Sequence, residues 1–324
     1  MTRRIPITPI FLAALFAISI PAVATTFSFT TISVPGITAP QATGINNAGE
    51  IVGYGGAGQV SNGFLITPTG VVNIFVPGSS GTQAFGVNDA RQIVGTYFSG
   101  TGAHAFVYSD GQATALLVPN GVSMPAANGI NNAGQIVGHF SSGDSMRGFL
   151  RSSGNFTTIL VSGSAATQAL GINNAGQIVG TYTDSAGKEH AFLDSDGVFT
   201  EINAPNAVAT LAATGINNLG QVVGNFETGT GSAGYLDANG DFSTISYPGA
   251  TATQVFGIND AGQVVGNYFD SEDRPHPFLA APLAAVPEPA PFTLVALAFA
   301  ALIPTFLKKQ RCGGPTVFSD RNRL

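Results

Sequence analysis

Three histidines stand at equivalent places in the sequence, two residues before a phenylalanine: His104-Ala105-Phe106, His190-Ala191-Phe192 and His276-Pro277-Phe278. Three imidazoles meeting at one point would suit a zinc ion. They fall in alternate copies of a repeat, so a ring could relate them by three-fold symmetry, provided that the strand carrying them lines the centre. That strand is the third of its unit and not the innermost in the usual order. The expectation is therefore of exposed or hydrogen-bonded strand histidines. Asp194-Ser195-Asp196-Gly197 opens like a calcium loop, with Glu201 downstream, but such a loop needs further oxygen ligands at fixed spacing. The equivalent Tyr108-Ser109-Asp110-Gly111 and Asp237-Ala238-Asn239-Gly240 read as hairpin turns. Paired carboxylates cleave glycosides, but Glu272 and Asp273 lie in a loop. No Gly-x-Ser-x-Gly, His-Glu-x-x-His or phosphate-loop motif occurs. The expectation is of no catalytic residue, no cofactor and no metal site.

The elements that would position these residues come as an array. A unit Gly-Ile/Val-Asn-Asn/Asp-x-Gly-Gln/Glu-Ile/Val-Val-Gly begins at Gly44, Gly86, Gly129, Gly171, Gly215 and Gly257. Only the second copy lacks the internal glycine, with Arg91 in its place. Each unit reads as a four-stranded meander. In the fourth copy the spacing predicts strand a over Thr167–Asn173, strand b over Gln177–Thr183, strand c over Glu189–Asp194 and strand d over Val198–Ala204. Asn at the turn entry and Gly two residues on suit a tight hairpin. One aromatic per copy (Tyr54, Tyr97, Phe140, Tyr182, Phe226, Tyr268) follows the unit's final glycine. It reads as packing between neighbouring units, with a ring of sugar-stacking platforms as the alternative.

A period of about 42 residues with four strands is that of a β-propeller blade. The fold class is all-β, a six-bladed β-propeller, with a β-solenoid or open array as the alternative. The split of the last unit favours a closed ring. Residues 27–34 resemble a strand d displaced to the N-terminus, whereas the sixth copy stops after strand c at Pro277-Phe278-Leu279. Pairing the two ends would complete the sixth blade and remove two open edges.

Charged residues are 9% of the chain and glycines number 42, which fits turns and strands and argues against a coiled coil or a charged disordered chain. Between Thr25 and Ala285 five basic side chains face sixteen acidic ones, a net of −11. Such a surface repels phosphate backbones, so nucleic acid is excluded as a partner. The one cysteine, Cys312, lies beyond the last apolar stretch. The body therefore has neither a disulfide framework nor a Cys-ligated metal. The absence of tryptophan weighs against tight sugar binding through large aromatic faces, not against weak multivalent binding.

The ends read as addresses. Arg3 and Arg4, an apolar run and the small-x-small site Ala22-Val23-Ala24 make residues 1–24 a secretory signal. Its expected partners are the Sec export machinery and signal peptidase, with cleavage directed by Ala22 and Ala24. At the other end stand Val286-Pro287-Glu288-Pro289, an uncharged stretch over 290–307, and the basic Lys308, Lys309 and Arg311. As a helix the stretch would reach about 27 Å, near the thickness of a bilayer core, and the basic cluster would stay cytoplasmic.

This order of elements over residues 286–311 resembles the PEP-CTERM sorting signal of Gram-negative bacteria that make exopolysaccharide. The resemblance implies an exosortase as partner, a transient inner-membrane anchor and release to the cell surface or medium. Residues 312–324 depart from it, since such signals usually end soon after the basic cluster. The His-Ala-Phe elements and the array over 41–280 resemble the HAF-repeat family of extracellular proteins, which implies location more than activity. The domain reading is then signal 1–24, repeat body 25–285, sorting signal 286–311 and atypical tail 312–324. The functional expectation is a non-enzymatic surface or matrix protein associating with exopolysaccharide or surface partners. The alternative is a glycoside hydrolase or lyase acting on the cell's own polymer.

Overall fold

The computed structural model describes residues 25–57, 60–100, 102–118, 123–143, 145–205 and 207–283. The segment 1–24 expected to be a secretory signal, with Ala22 and Ala24, the residues 286–289, the apolar stretch 290–307, the basic Lys308, Lys309 and Arg311, and the tail 312–324 all lie outside the described residues. Among the described residues, no helix is long and apolar enough to cross a membrane.

The body is a closed ring of six four-stranded antiparallel sheets. Blades 1 to 5 are consecutive meanders over residues 41–74, 81–115, 123–159, 166–202 and 209–245. Blade 4 shows strands a to d at Ala166–Ile172, Ile178–Thr183, Glu189–Ser195 and Val198–Ile202, within two residues of the sequence-based bounds. Blade 6 takes three strands from the C-terminal side (Ala252–Ile258, Val264–Phe269, Pro275–Pro282) and its fourth, Phe27–Thr31, from the N-terminus. That strand pairs antiparallel from Phe27↔Pro282 to Thr31↔Phe278. The displaced strand d thus closes the ring, as its sequence requires.

Strand a is innermost in every blade, and each carries the same β-bulge, at Ala42/Gly44, Ala84/Gly86, Ala127/Gly129, Ala169/Gly171, Ala213/Gly215 and Val255/Gly257. The glycine after each bulge meets the glycine of the next blade: a Cβ on Gly44 would lie 3.3 Å from the Gly86 Cα, and so on around to Gly257 against Gly44 at 3.1 Å. Only hydrogen at these positions lets six inner strands converge on one axis. Between blades, apolar side chains from both neighbours form a shared layer, as with Val137 and Ile159 of blade 3 against Ala169, Ile178 and Phe192 of blade 4. Six such layers hold the ring, blade 6 against blade 1 included.

The paired asparagines do more than make turns. In each copy the first Asn is 3% exposed. The Asn173 Oδ1 accepts the N–H groups of Ala175 and Gln177, closing its own turn, while its amide donates to Gln177 Oε1 and to the Asn217 carbonyl of the next blade at 3.1 Å. The same inter-blade bond runs from Asn46 to Asn88, Asn131, Asn173, Asn217, Asn259 and back to Asn46, all at 3.0–3.2 Å. A second ring joins the next residues, each backbone N–H donating to the following blade's Asn or Asp side chain, from Asn47 through Asp260 and back. Asn173→Ala should therefore cost about 1–3 kcal/mol, because it removes the partner of two donors and two acceptors, of which the Asn217 carbonyl is in a buried bond and the rest are part-buried. A lowered urea midpoint at unchanged slope would show it.

Candidate functional site

Three places combine accessible surface with polar side chains. The first is the mouth of the axis, a cup of about 250 Å³. Its wall is set by the bulges, which turn one extra residue per strand toward the axis. Those residues alternate in kind. Thr43, Asn128 and Thr214 in the odd blades donate to carbonyls of the next inner strand, at Ala84, Ala169 and Val255. Phe85, Leu170 and Phe256 in the even blades present apolar faces. Ile45, Val87, Ile130, Ile172, Ile216 and Ile258 border both this cup and the small hollow on the Asn side, and so separate the two.

The second place repeats three times. In blades 2, 4 and 6 the strand c histidine pairs across the sheet with the strand b tyrosine, and the rings stack: Tyr97–His104 at 5.0 Å, Tyr182–His190 at 4.9 Å and Tyr268–His276 at 4.9 Å. Each His Nε2 reaches a side chain of the b–c turn: Ser99 Oγ at 3.1 Å, Asp184 Oδ2 at 3.1 Å and Asp270 Oδ2 at 2.9 Å. In blade 6 a third ring, Tyr247, stacks on Tyr268 at 3.7 Å and bonds Thr31 of the closing strand. The Asp-to-His spacing of six residues in blades 4 and 6 was a legible signal that the repeat unit alone did not bring out.

These environments set the protonation. His190 is hydrogen-bonded at both nitrogens, Nδ1 to Glu201 at 3.0 Å and Nε2 to Asp184 at 3.1 Å. Burial opposes its charged form, but the two carboxylates outweigh that and raise its pKa. His139, which sequence reasoning missed, lies on strand b of blade 3, accepts at Nδ1 from the Asn128 amide, and is driven by burial down to about 4. The pair should titrate on opposite sides of an ordinary histidine in a ¹⁵N NMR pH series. The His190 link strengthens folding fully below the unfolded-state value of about 6.5 and is lost as pH rises through its raised folded value. The b–c turn at 184–190 should accordingly loosen toward alkaline pH.

The third place is a groove of about 500 Å³ between blades 1 and 2, where two departures from the repeat meet. Glu50 stands where five copies have Gln, and Arg91 where five have Gly. Glu50 is buried, and Arg91 closes over it with Nη2 at 2.6 Å from Oε1 and Nε at 2.8 and 3.0 Å from the two oxygens. The guanidinium holds the carboxyl below its ordinary value against the opposing effect of burial. Arg91 keeps the left-handed backbone of the glycines it replaces, φ 59°, at a cost of about 1–2 kcal/mol.

The three strand c histidines do not converge, since strand a and not strand c lines the axis. Among the described residues, no cluster of three or more His, Cys, Asp or Glu is placed to hold a metal ion. Asp194 accepts the Gly197 N–H at 2.7 Å, and Asp196 and Gly197 both have positive φ, as in a tight hairpin. Glu272 pairs with Arg274 at 3.0 Å in its loop. Of the six aromatics, Tyr97, Phe140, Tyr182, Phe226 and Tyr268 join the layers between blades. Tyr54 does not match them. It follows its glycine directly, one residue earlier than the rest, and strand alternation turns it the other way, into the wall of the axial cup.

No family model and no curated protein matches the sequence. Solved structures do. TolB from Acinetobacter baumannii is similar at a TM-score of 0.50 and 9% identity over 72% of this chain, which spans 63% of that one. The β-propeller domain of the Trilobed protease from Pyrococcus furiosus, described as having an open velcro topology, is similar at 0.50 and 12% identity over 78% of this chain and 85% of that one. A gluconolactonase from Xanthomonas campestris, XC5397, follows at 0.49 and 12%. At these identities the likeness establishes the propeller fold alone.

Proposed function

We propose that this chain is an exported propeller that binds extracellular polysaccharide without cleaving it. The observation that carries the reading is the set of three equivalent Tyr–His platforms on alternate blades. In each, the imidazole lies over a tyrosine of the layer between blades and bonds a polar side chain at the b–c turn, which leaves a half-buried polar patch. A polymer with repeating units can engage several like sites at once, so that weak single contacts sum to useful avidity. The acidic body, the N-terminal signal and the tail at 286–311 support an extracellular setting in which such a polymer is met.

The test passes the protein from its native host over that host's own exopolysaccharide. Retention with unchanged polymer length is expected. Shortening of the polymer would favour a hydrolase or lyase instead, for which the His190–Glu201–Asp184 cluster offers acid–base groups. Absence of retention would end the proposal. Intact-mass measurement of the exported protein should find a species ending near residues 286–290, after exosortase cutting. A species that keeps Leu324 and stays in the inner membrane would mark an ordinary anchor.

A further inference from the structure

The groove between blades 1 and 2 differs from the other blade boundaries in the residues that form it. At the corresponding position the other copies have a glycine (Gly49, Gly134, Gly176, Gly220, Gly262) and so present no side chain. Here Arg91 stands over buried Glu50, and its side chain is still 63% exposed. Tyr108 forms part of the wall, Leu65 and Val72 supply apolar surface, and Asp110 stands at the rim with its Oδ2 accepting from Ser109. The groove between blades 2 and 3 is of similar size, about 460 Å³, and carries Arg151, but its other lining is Val107, Leu116, Leu117 and small residues, with no ring and no carboxylate. Two neighbouring copies thus depart from the repeat together, against backbone strain at Arg91, and they do so where an aromatic and a carboxylate also meet. Among the six copies Arg91 alone takes this left-handed turn position without being glycine, and a departure kept against strain points to a use for the residue.

The chemistry of the groove selects the ligand. The Arg91 charge is answered by Glu50 in a two-oxygen contact, so its free N–H groups act as donors more than as a net positive charge. Asp110 then leaves the rim negative, which disfavours an anionic ligand. A carboxylate acceptor, guanidinium donors, an aromatic ring and an apolar wall in a site of this size suit a ligand with adjacent hydroxyls on one edge and C–H groups on a face. We propose that this groove binds an uncharged sugar ring, with Asp110 and Arg91 bonding its hydroxyls and Tyr108 meeting its apolar face. The proposal rests on the reading of the protein as a polysaccharide binder and adds to the three Tyr–His positions a further, differently built site.

The experiment records ¹⁵N NMR spectra of the full exported protein during titration with methyl β-D-glucopyranoside, methyl β-D-galactopyranoside and methyl β-D-glucuronopyranoside. A neutral glycoside should shift the amides of Thr69, Asp110 and Gly111 to saturation, with the glucuronoside much weaker. Tyr108→Ala should weaken binding by about tenfold, the loss of one well-placed ring contact. Arg91→Gly alone would leave Glu50 buried without a partner and could unfold the boundary. The decisive variant is therefore the double Glu50→Gln/Arg91→Gly, which restores the residues of the other copies, should fold, and should abolish the shifts. Shifts confined to other blades, a preference for the glucuronoside, no shift with any of the three, or wild-type binding by the double variant would each overturn the proposal. If that variant still binds the neutral glycosides like the wild type and is also retained on the polymer, the groove assignment fails while the polymer reading stands. If neutral glycosides fill the groove but the wild-type protein is not retained on polymer, the reverse holds.

Discussion

A protein lacking residues 25–36 is expected to melt roughly 10–20 °C below the intact one. The segment supplies the outer strand of blade 6, five residues paired with the Pro275–Pro282 strand, and further backbone bonds from Ile32 to Pro277 and from Leu283 to Thr26. Its Phe29 ring packs edge-on against Phe278 at 5.6 Å and Tyr247 at 5.4 Å, and Val34 is buried. Loss of these contacts exposes the fully buried Phe278 and leaves a strand edge open. Half-buried Phe29 alone should cost about 2–3 kcal/mol as Phe29→Ala, and the whole segment about 5 kcal/mol, a large share of the stability of a typical domain. An unchanged melting temperature would mean that the ring does not depend on this closure.

The second large effect is expected at the glycine that closes the repeat unit, which lies inside strand b of each copy. In blade 4 Gly180 sits opposite Phe192, whose ring lies over it, and a Cβ there would overlap the Gln168 carbonyl oxygen and press on two ring carbons at 2.9 Å. Backbone on one side and a fully buried ring on the other leave nothing that can move cheaply. Gly180→Ala should destabilise by about 3 kcal/mol or more, in spite of adding a single methyl group. The control is Gly197→Ala in the c–d hairpin, where a Cβ meets nothing within 4 Å but φ is +84°. Strain alone should make that substitution cost about 1–2 kcal/mol. If chemical denaturation ranks the two the other way round, the packing account of this glycine is wrong.

The same glycine explains how the repeat works and why only part of it was legible. The unit's final Gly and the Phe of His-Ala-Phe are separate features in sequence but one cross-strand pair in space, from Gly53↔Phe64 to Gly266↔Phe278. Period, turn residues and the displaced strand d are local or compositional signals, and these the sequence displays directly. The role of the Asn pair was only half visible, because its turn bonds span two to four residues whereas its inter-blade bonds span 42 to 44, and 213 where the ring closes. Tyr54 was misaligned with its counterparts because a shift of one residue along a strand reverses the face. Glu50 passed as a conservative variant of Gln until its partner Arg91, 41 residues on, gave it a charge to answer. His139 stands outside the His-Ala-Phe position, and nothing in its neighbours marks it as buried.

The alternation of odd and even blades lowers the symmetry of the ring from six-fold to three-fold. Asn62-Gly63-Phe64, Arg147-Gly148-Phe149 and Ala233-Gly234-Tyr235 belong to blades whose bulge residue is polar. The three His-containing triplets belong to blades whose bulge residue is Phe or Leu. The full period of the ring is thus a pair of blades, occurring three times. A piece of that length carries one complete boundary within itself and half of another at each end. The halves match, since the boundary that joins blade 6 to blade 1 uses the same Asn-to-carbonyl bond as the rest. Two such blades as a separate chain would therefore have a route to a closed ring as a homotrimer, whereas in the single chain the seam falls within blade 6.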